Sequence, residues 1–140
     1  ELIADLIHVH PGAIKVLLRA LGPERIVLVT DSVQATGLPD GEYVLGDHKI
    51  YVRDGAARLP EGSLAGSTLT LKQAVQNMIE KIGVDLVDAF RMASFNPAQT
   101  IGLKYRGWIR EGYKADFVLL TPDFQVQKTI ISGRVVYSAA

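Results

Sequence analysis

An α/β protein built on parallel strands is predicted by three observations. The run Ile26-Val27-Leu28-Val29-Thr30 is nearly all apolar, the pattern of a strand buried on both faces. A second apolar stretch, Leu2 to Val9, is separated from it by a segment with helical spacing, so strand, helix and strand follow in order. Strand, helix, strand is a βαβ unit, which implies parallel strands and a right-handed crossover.

The elements follow one by one. Leu2 to Val9 forms a short strand ending in polar groups, and Pro11-Gly12 breaks it. Pro11 suits the first turn of a helix, Ile14, Leu17, Leu18 and Leu21 recur on one face, and Gly22-Pro23 stops it. From Asp40 the chain becomes a β-meander excursion over about 40–60, with Gly46-Asp47 and Asp54-Gly55 as turns. A helix with one core face returns through Leu71, Ala74, Val75, Met78, Ile79 and Ile82, with Ser67, Thr68 and Thr70 as available caps and Gly83 as its stop. Asp85 to Ser94 gives a second helix through Leu86, Val87 and Phe90. Asn96-Pro97 supplies a cap and a first-turn proline for a short third helix ended by Gly102. After Leu103 a small sheet follows: Gly107-Trp108-Ile109, Phe117 to Leu120, Gln125 to Ser132, and Arg134 to Tyr137. Alternation of Val126, Lys128 and Ile130 against Gln125, Gln127 and Thr129 predicts one buried and one wet face. Trp108 and Phe90 are expected as core anchors.

Composition narrows the function. Hydrophobic residues make up 48% of the 140, enough for a core. Lys plus Arg and Asp plus Glu are 15 each, so no basic stripe argues for nucleic acid or an anionic membrane. No apolar run approaches the roughly 20 residues of a membrane span. Cysteine is absent, which removes thiol nucleophiles and Cys-based zinc sites. The chain starts at Glu1 in mid-pattern and is expected to be a piece of something longer.

Chemistry then rests on a few side chains. Asp31 directly follows the second strand, at the carboxyl end where catalytic residues of parallel sheets collect. Asp is also a favoured turn residue, so placement alone leaves both readings open. His8 and His10 flank Val9, and alternate strand positions share a face. Two imidazoles fall short of the three protein ligands usual in a catalytic metal site, so one His in a substrate pocket and the other on its rim is preferred. Gly62 to Thr68 is a small, flexible loop before the strongest helix, able to bind a polar ligand or simply to cap. Asp54, Asp85, Asp88, Glu42, Glu61, Glu80 and His48 are surface groups on this reading.

Three segments together, Ile3 to Pro11, Leu28 to Ser32 and Leu64 to Thr70, resemble the C-terminal part of the N-acetylglucosamine-6-phosphate deacetylase family in order and spacing. Met92 to Ala98 and Gly107 to Val118 resemble closing signatures of the wider amidohydrolase superfamily. The resemblance implies the C-terminal portion of a (β/α)8 metal-dependent hydrolase barrel over 1–103, then C-terminal strands of a small β-sandwich over 104–140. A complete barrel needs about 250 residues, more than this chain has.

The resemblance also implies an activity, hydrolysis of N-acetylglucosamine 6-phosphate to glucosamine 6-phosphate and acetate in amino-sugar catabolism. Asp31 matches the acid/base that activates a metal-bound water and protonates the departing amine. His8, Leu64, Ala65 and Gly66 match contacts to the phosphorylated amino sugar. The divalent metal, Zn2+ on this reading, is expected to take its ligands upstream of Glu1; none are in this chain, and Asp31 approaches the metal. His10 falls where the family varies, and Ser32 stands where Ala is common. A cytoplasmic homodimer is implied when intact, with no nucleic-acid or membrane partner. The alternatives are another amide hydrolase of the superfamily, or a non-catalytic fragment or assembly module.

Overall fold

The computed structural model describes residues 1–139. Strand β1 (Leu2–Ile3) and strand β2 (Leu28–Val29) are parallel, pairing Leu2 with Leu28 and Ile3 with Val29. Helix α1 (Pro11–Leu21) connects them, with Pro11 in its first turn as expected and Gly22 as its C-cap. Both strands are shorter than the sequence suggested. The first ends because the Asp5 carboxylate accepts hydrogen bonds from the backbone N–H groups of Ile7 and His8, a side-chain turn that competes with strand pairing. The second is not buried on both faces: Ile26 and Leu28 are buried, whereas Val27 and Val29 stay half-open. The strand packs on helices that come later in the chain.

The excursion is a four-stranded antiparallel meander, β3 (Gly41–Leu45), β4 (His48–Arg53), β5 (Ala56–Arg58) and β6 (Leu64–Ser67), in that order. It is longer than 40–60 because the segment expected as a flexible loop contains strand β6. Ile50, Val52, Ala57 and Ala65 bury a core of their own with Val33 and Ala35. Beyond its pairing with β5, the end of β6 runs parallel to the chain after β2: Ser32 bridges Ser67, Ser67 N–H donates to Asp31 O at 2.7 Å, and Val33 N–H donates to Ser67 O at 2.8 Å. Three chain segments thus lie side by side with parallel direction, in the order β1, β2, end of β6.

Helix α2 (Leu71–Asn77) is capped by the Thr70 side chain and continues as a π-helical turn, Met78–Ile82, that Gly83 ends in left-handed geometry. Helix α3 (Leu86–Ala93) is capped by Asp85, and α4 (Phe95–Thr100) follows at once. Asn96 is not the cap of that last helix; Ser94 occupies the position, and Asn96 is buried within it, donating to Pro23 O at 2.8 Å and Ile26 O at 2.7 Å. Its amide ties α4 to the turn before β2. Ile14, Met78 and Met92 are fully buried in the main core with Leu2, Ile26 and Leu28.

The last sheet is β7 (Phe117–Leu120), β8 (Val126–Ile131) and β9 (Arg134–Ser138), antiparallel in sequence order. Gly107 to Ile109 is not a strand, and Trp108 is 45% exposed, stacked edge-on against Phe95 rather than anchoring the core. The alternation predicted for Gln125 to Ser132 does not yield a buried face. Irregular register between Thr129 and Ile130 breaks the period, and Thr129 and Ile130 are both half-buried. Phe124, in the turn before β8, is buried in the main core, and Leu120 of β7 packs against it.

Candidate functional site

The carboxyl ends of β1 and β2 and the end of β6 lie side by side, and Asp31 meets Gly66 and Ser67 there. Asp31 comes one residue after Thr30, solvent-exposed, with φ of 51°. A positive φ is uncommon outside glycine, although Asp tolerates it better than most residues. Asp31 is held by its neighbours: its carbonyl accepts from Ser67 N–H, the Ser67 hydroxyl donates to Thr30 O, and the Ser32 hydroxyl donates to Leu69 O. Ser32 therefore has a binding partner of its own, which its replacement by Ala would remove.

Gly66 sits against Asp31. A Cβ on it would lie 2.6 Å from Val33 Cγ1, 3.0 Å from Asp31 O and 3.8 Å from Asp31 Oδ2, and its φ is +70°. Only glycine lets β6 pass this closely, so Gly66 lies beside the carboxylate; Leu64, half-buried, and Ala65, buried, precede it in the same strand.

His8 follows β1 in a tight bend, with Leu6 at φ of 67°. Its Nδ1 is 2.6 Å from Asp5 Oδ2, and the two side chains are 17% and 6% exposed. Burial pushes the Asp5 carboxyl up, but hydrogen bonds from the His8 and Ile7 N–H groups and from the His8 ring outweigh it and hold it below its ordinary value. Asp5 is the residue that sequence reasoning passed over. The Asp-x-x-His spacing was the available signal. His10 separates from His8: Nδ1 accepts from Gly12 N–H at 3.1 Å, so the ring caps α1. The two histidines do not share a strand face because the strand has already ended at Ile3.

A groove of about 860 Å3 lies beside this edge, walled by Ile7 and by meander residues that include Asp40, Arg53, Asp54 and Arg58. Asp31, His8 and Gly66 do not line it. Its mixed charge offers no single-sign field. Among the described residues no group of three or more His, Asp or Glu could hold a metal ion. No helix there is long and apolar enough to cross a membrane.

Comparison with known proteins decides the family. A sequence model described as the amidohydrolase family matches residues 1–136. The chain belongs to the amidohydrolase family. Among its relatives, an N-acetylglucosamine-6-phosphate deacetylase of Vibrio furnissii is 42% identical over 100% of this chain and 35% of its own length. An N-acetylgalactosamine-6-phosphate deacetylase of Escherichia coli O157:H7 is 43% identical over 96% of this chain and 36% of its own. The crystal structure of an N-acetylglucosamine-6-phosphate deacetylase from Thermotoga maritima superposes with a TM-score of 0.93 at 42% identity, over 99% of this chain and 38% of that one. This amidohydrolase chain spans about a third of the length of the curated relatives it matches. It shares their α/β fold over that third.

Proposed function

We propose that this chain supplies the acid/base and part of the sugar-phosphate contacts of a deacetylase that hydrolyses N-acetylglucosamine 6-phosphate to glucosamine 6-phosphate and acetate. The observation that carries the reading is the contact of Gly66 with Asp31, which sets the carboxylate beside the segment that resembles a substrate loop. The relatives' names supply the substrate class.

On this reading Asp31 works as a proton relay. A water molecule adds to the acetamide carbon and gives its proton to the carboxylate. The C–N bond then breaks, the proton passes to the leaving nitrogen, and acetate and the free amine depart with Asp31 again ionised. An exposed carboxylate at the end of β2 suits that cycle, since each turnover needs it to gain and lose one proton. His8, Leu64, Ala65 and Gly66 are the proposed contacts to the phosphosugar.

The amidohydrolase family is metal-dependent in general. The described residues do not fit a metal on their own, because a catalytic site asks for about three protein ligands and Asp31 is a single carboxylate. Zn2+ is the metal proposed, held by residues beyond those described, and the proton relay above is the part this chain supplies. The (β/α)8 barrel assignment of 1–103, the β-sandwich assignment of 104–140, a homodimeric assembly and a cytoplasmic location belong to the same proposal.

The 43% identity to an N-acetylgalactosamine-6-phosphate deacetylase favours a second substrate, the 4-epimer, with the same chemistry. Acetate release from both phosphosugars tests the readings together. The chain with Zn2+ alone is expected to be inactive. The chain joined to the part of its relatives that it does not cover is expected to release acetate, faster from the gluco epimer. Turnover by the chain alone would overturn the shared-site reading, and no acetate from either sugar by the completed enzyme would overturn the deacetylase.

A further inference from the structure

The turn that ends β1 is built around one carboxylate. Asp5 Oδ1 accepts from both Ile7 N–H and His8 N–H at 2.9 Å, while Oδ2 meets His8 Nδ1 at 2.6 Å. Between them Leu6 is forced to φ of 67°, a conformation costly for a branched side chain. Leu6 nevertheless packs against the main core, so the turn cannot relax without moving it. The carboxylate is nearly enclosed, and the imidazole is the more exposed partner.

A turn of this kind needs only Oδ1. The second oxygen does something else: it faces a ring nitrogen and, as an ionised acceptor, requires that nitrogen to carry its proton. We propose that Asp5 is a positioning residue for His8, fixing the ring orientation and the Nδ1–H tautomer so that Nε2 is the nitrogen offered to a ligand at the Asp31 edge. The same logic operates wherever a carboxylate orients a functional imidazole: the bond at one nitrogen decides what the other can do. With Nδ1 protonated, neutral His8 presents an unprotonated Nε2, an acceptor matched to a hydroxyl group of a sugar. The orientation stands on the geometry alone; its consequence for substrate rests on the proposed contact role of His8.

Asp5→Asn separates the two jobs of the carboxylate. Two backbone N–H groups demand an oxygen at one position, so the amide nitrogen is placed against the ring. It donates to Nδ1, which must then be the acceptor, and the proton moves to Nε2. Nitrogen–proton correlation NMR of the ring is expected to show Nδ1–H in the unsubstituted chain and Nε2–H in Asp5→Asn. In the completed enzyme, KM for the phosphosugar is expected to rise about tenfold with kcat changed by roughly threefold or less, the split given by loss of a binding contact rather than of chemistry. An Nε2–H ring in the unsubstituted chain overturns the proposal without any variant having to fold. An unchanged tautomer in a folded Asp5→Asn overturns it too, leaving Asp5 as a turn residue only. A tautomer that moves while KM does not upholds the orientation and removes His8 from the substrate site.

Discussion

Gly66 and Asp5 are the two residues whose chemistry most constrains the edge. Adding a methyl group at Gly66 meets Val33 Cγ1 and a backbone oxygen of Asp31 at once, in a left-handed conformation that L side chains resist. Gly66→Ala is therefore expected to cost about 2 kcal/mol in urea denaturation and to displace Asp31. Asp5 sets a pH dependence. Its carboxyl lies lower in the folded chain than its ordinary 3.8, so it binds protons more weakly when folded. Its stabilisation is thus complete above 3.8 and disappears as pH falls through the lowered folded value. The stability difference between the unsubstituted chain and Asp5→Asn, followed by urea denaturation across acid pH, is expected to hold constant above 3.8 and to shrink below it. At this scale the sequence was informative where a residue type has one use. Asp31 at a strand end and Gly66 in a small-residue run were both visible. Asp5 was hidden because its partner His8 lies three residues on, across a turn that no hydrophobic period marks.

Elements were legible where periodicity was strong and less so where side chains compete with the backbone. Helix α1, with its proline start and glycine stop, and helix α2, with its Thr70 cap and Gly83 end, follow from spacing. Apolar residues continuing to Val9 suggest a longer first strand than Leu2–Ile3, because Asp5 turns the chain where no apolar signal shows it. In the Gly62 to Thr68 segment small residues suggest a loop, but pairing with β5 and with Ser32 makes Leu64–Ser67 a strand. Asn96 shows the same limit. Its partners lie 70 and 73 residues away, and only the fold brings the Pro23 and Ile26 carbonyls to its amide. Asn96→Ala strands those acceptors in a buried site. A loss of about 2–3 kcal/mol is expected by chemical denaturation, with the turn before β2 loosened in hydrogen exchange.

For the whole molecule, the sequence points to the parallel pair, the meander and a small late sheet, the last without its expected Gly107 to Ile109 strand, and the family resemblance agrees with the match over residues 1–136. What the sequence concealed is how much apolar surface stays open. Val27 and Val29 are half-open, and Val118, Val135, Val136 and Tyr137 are each more than half exposed on the last sheet. Periodicity reports which residues seek burial but not whether this chain contains their cover. Contiguous exposed apolar residues on a sheet favour association. Sedimentation is expected to show mass rising with concentration for this chain, and Val136→Lys to lower it; a monomer at every concentration would contradict this.

The central claim concerns Asp31, and Asp31→Asn in the completed enzyme addresses it most directly. Asn tolerates positive φ as Asp does, so the backbone at 51° can be kept while the carboxylate is lost. Acetate release from N-acetylglucosamine 6-phosphate, measured beside thermal unfolding and metal content, is the measurement. The account predicts a rate lower by about 100-fold or more, the scale of a lost general acid/base, with unfolding and metal content unchanged. Activity within a few-fold of the unsubstituted enzyme would contradict it.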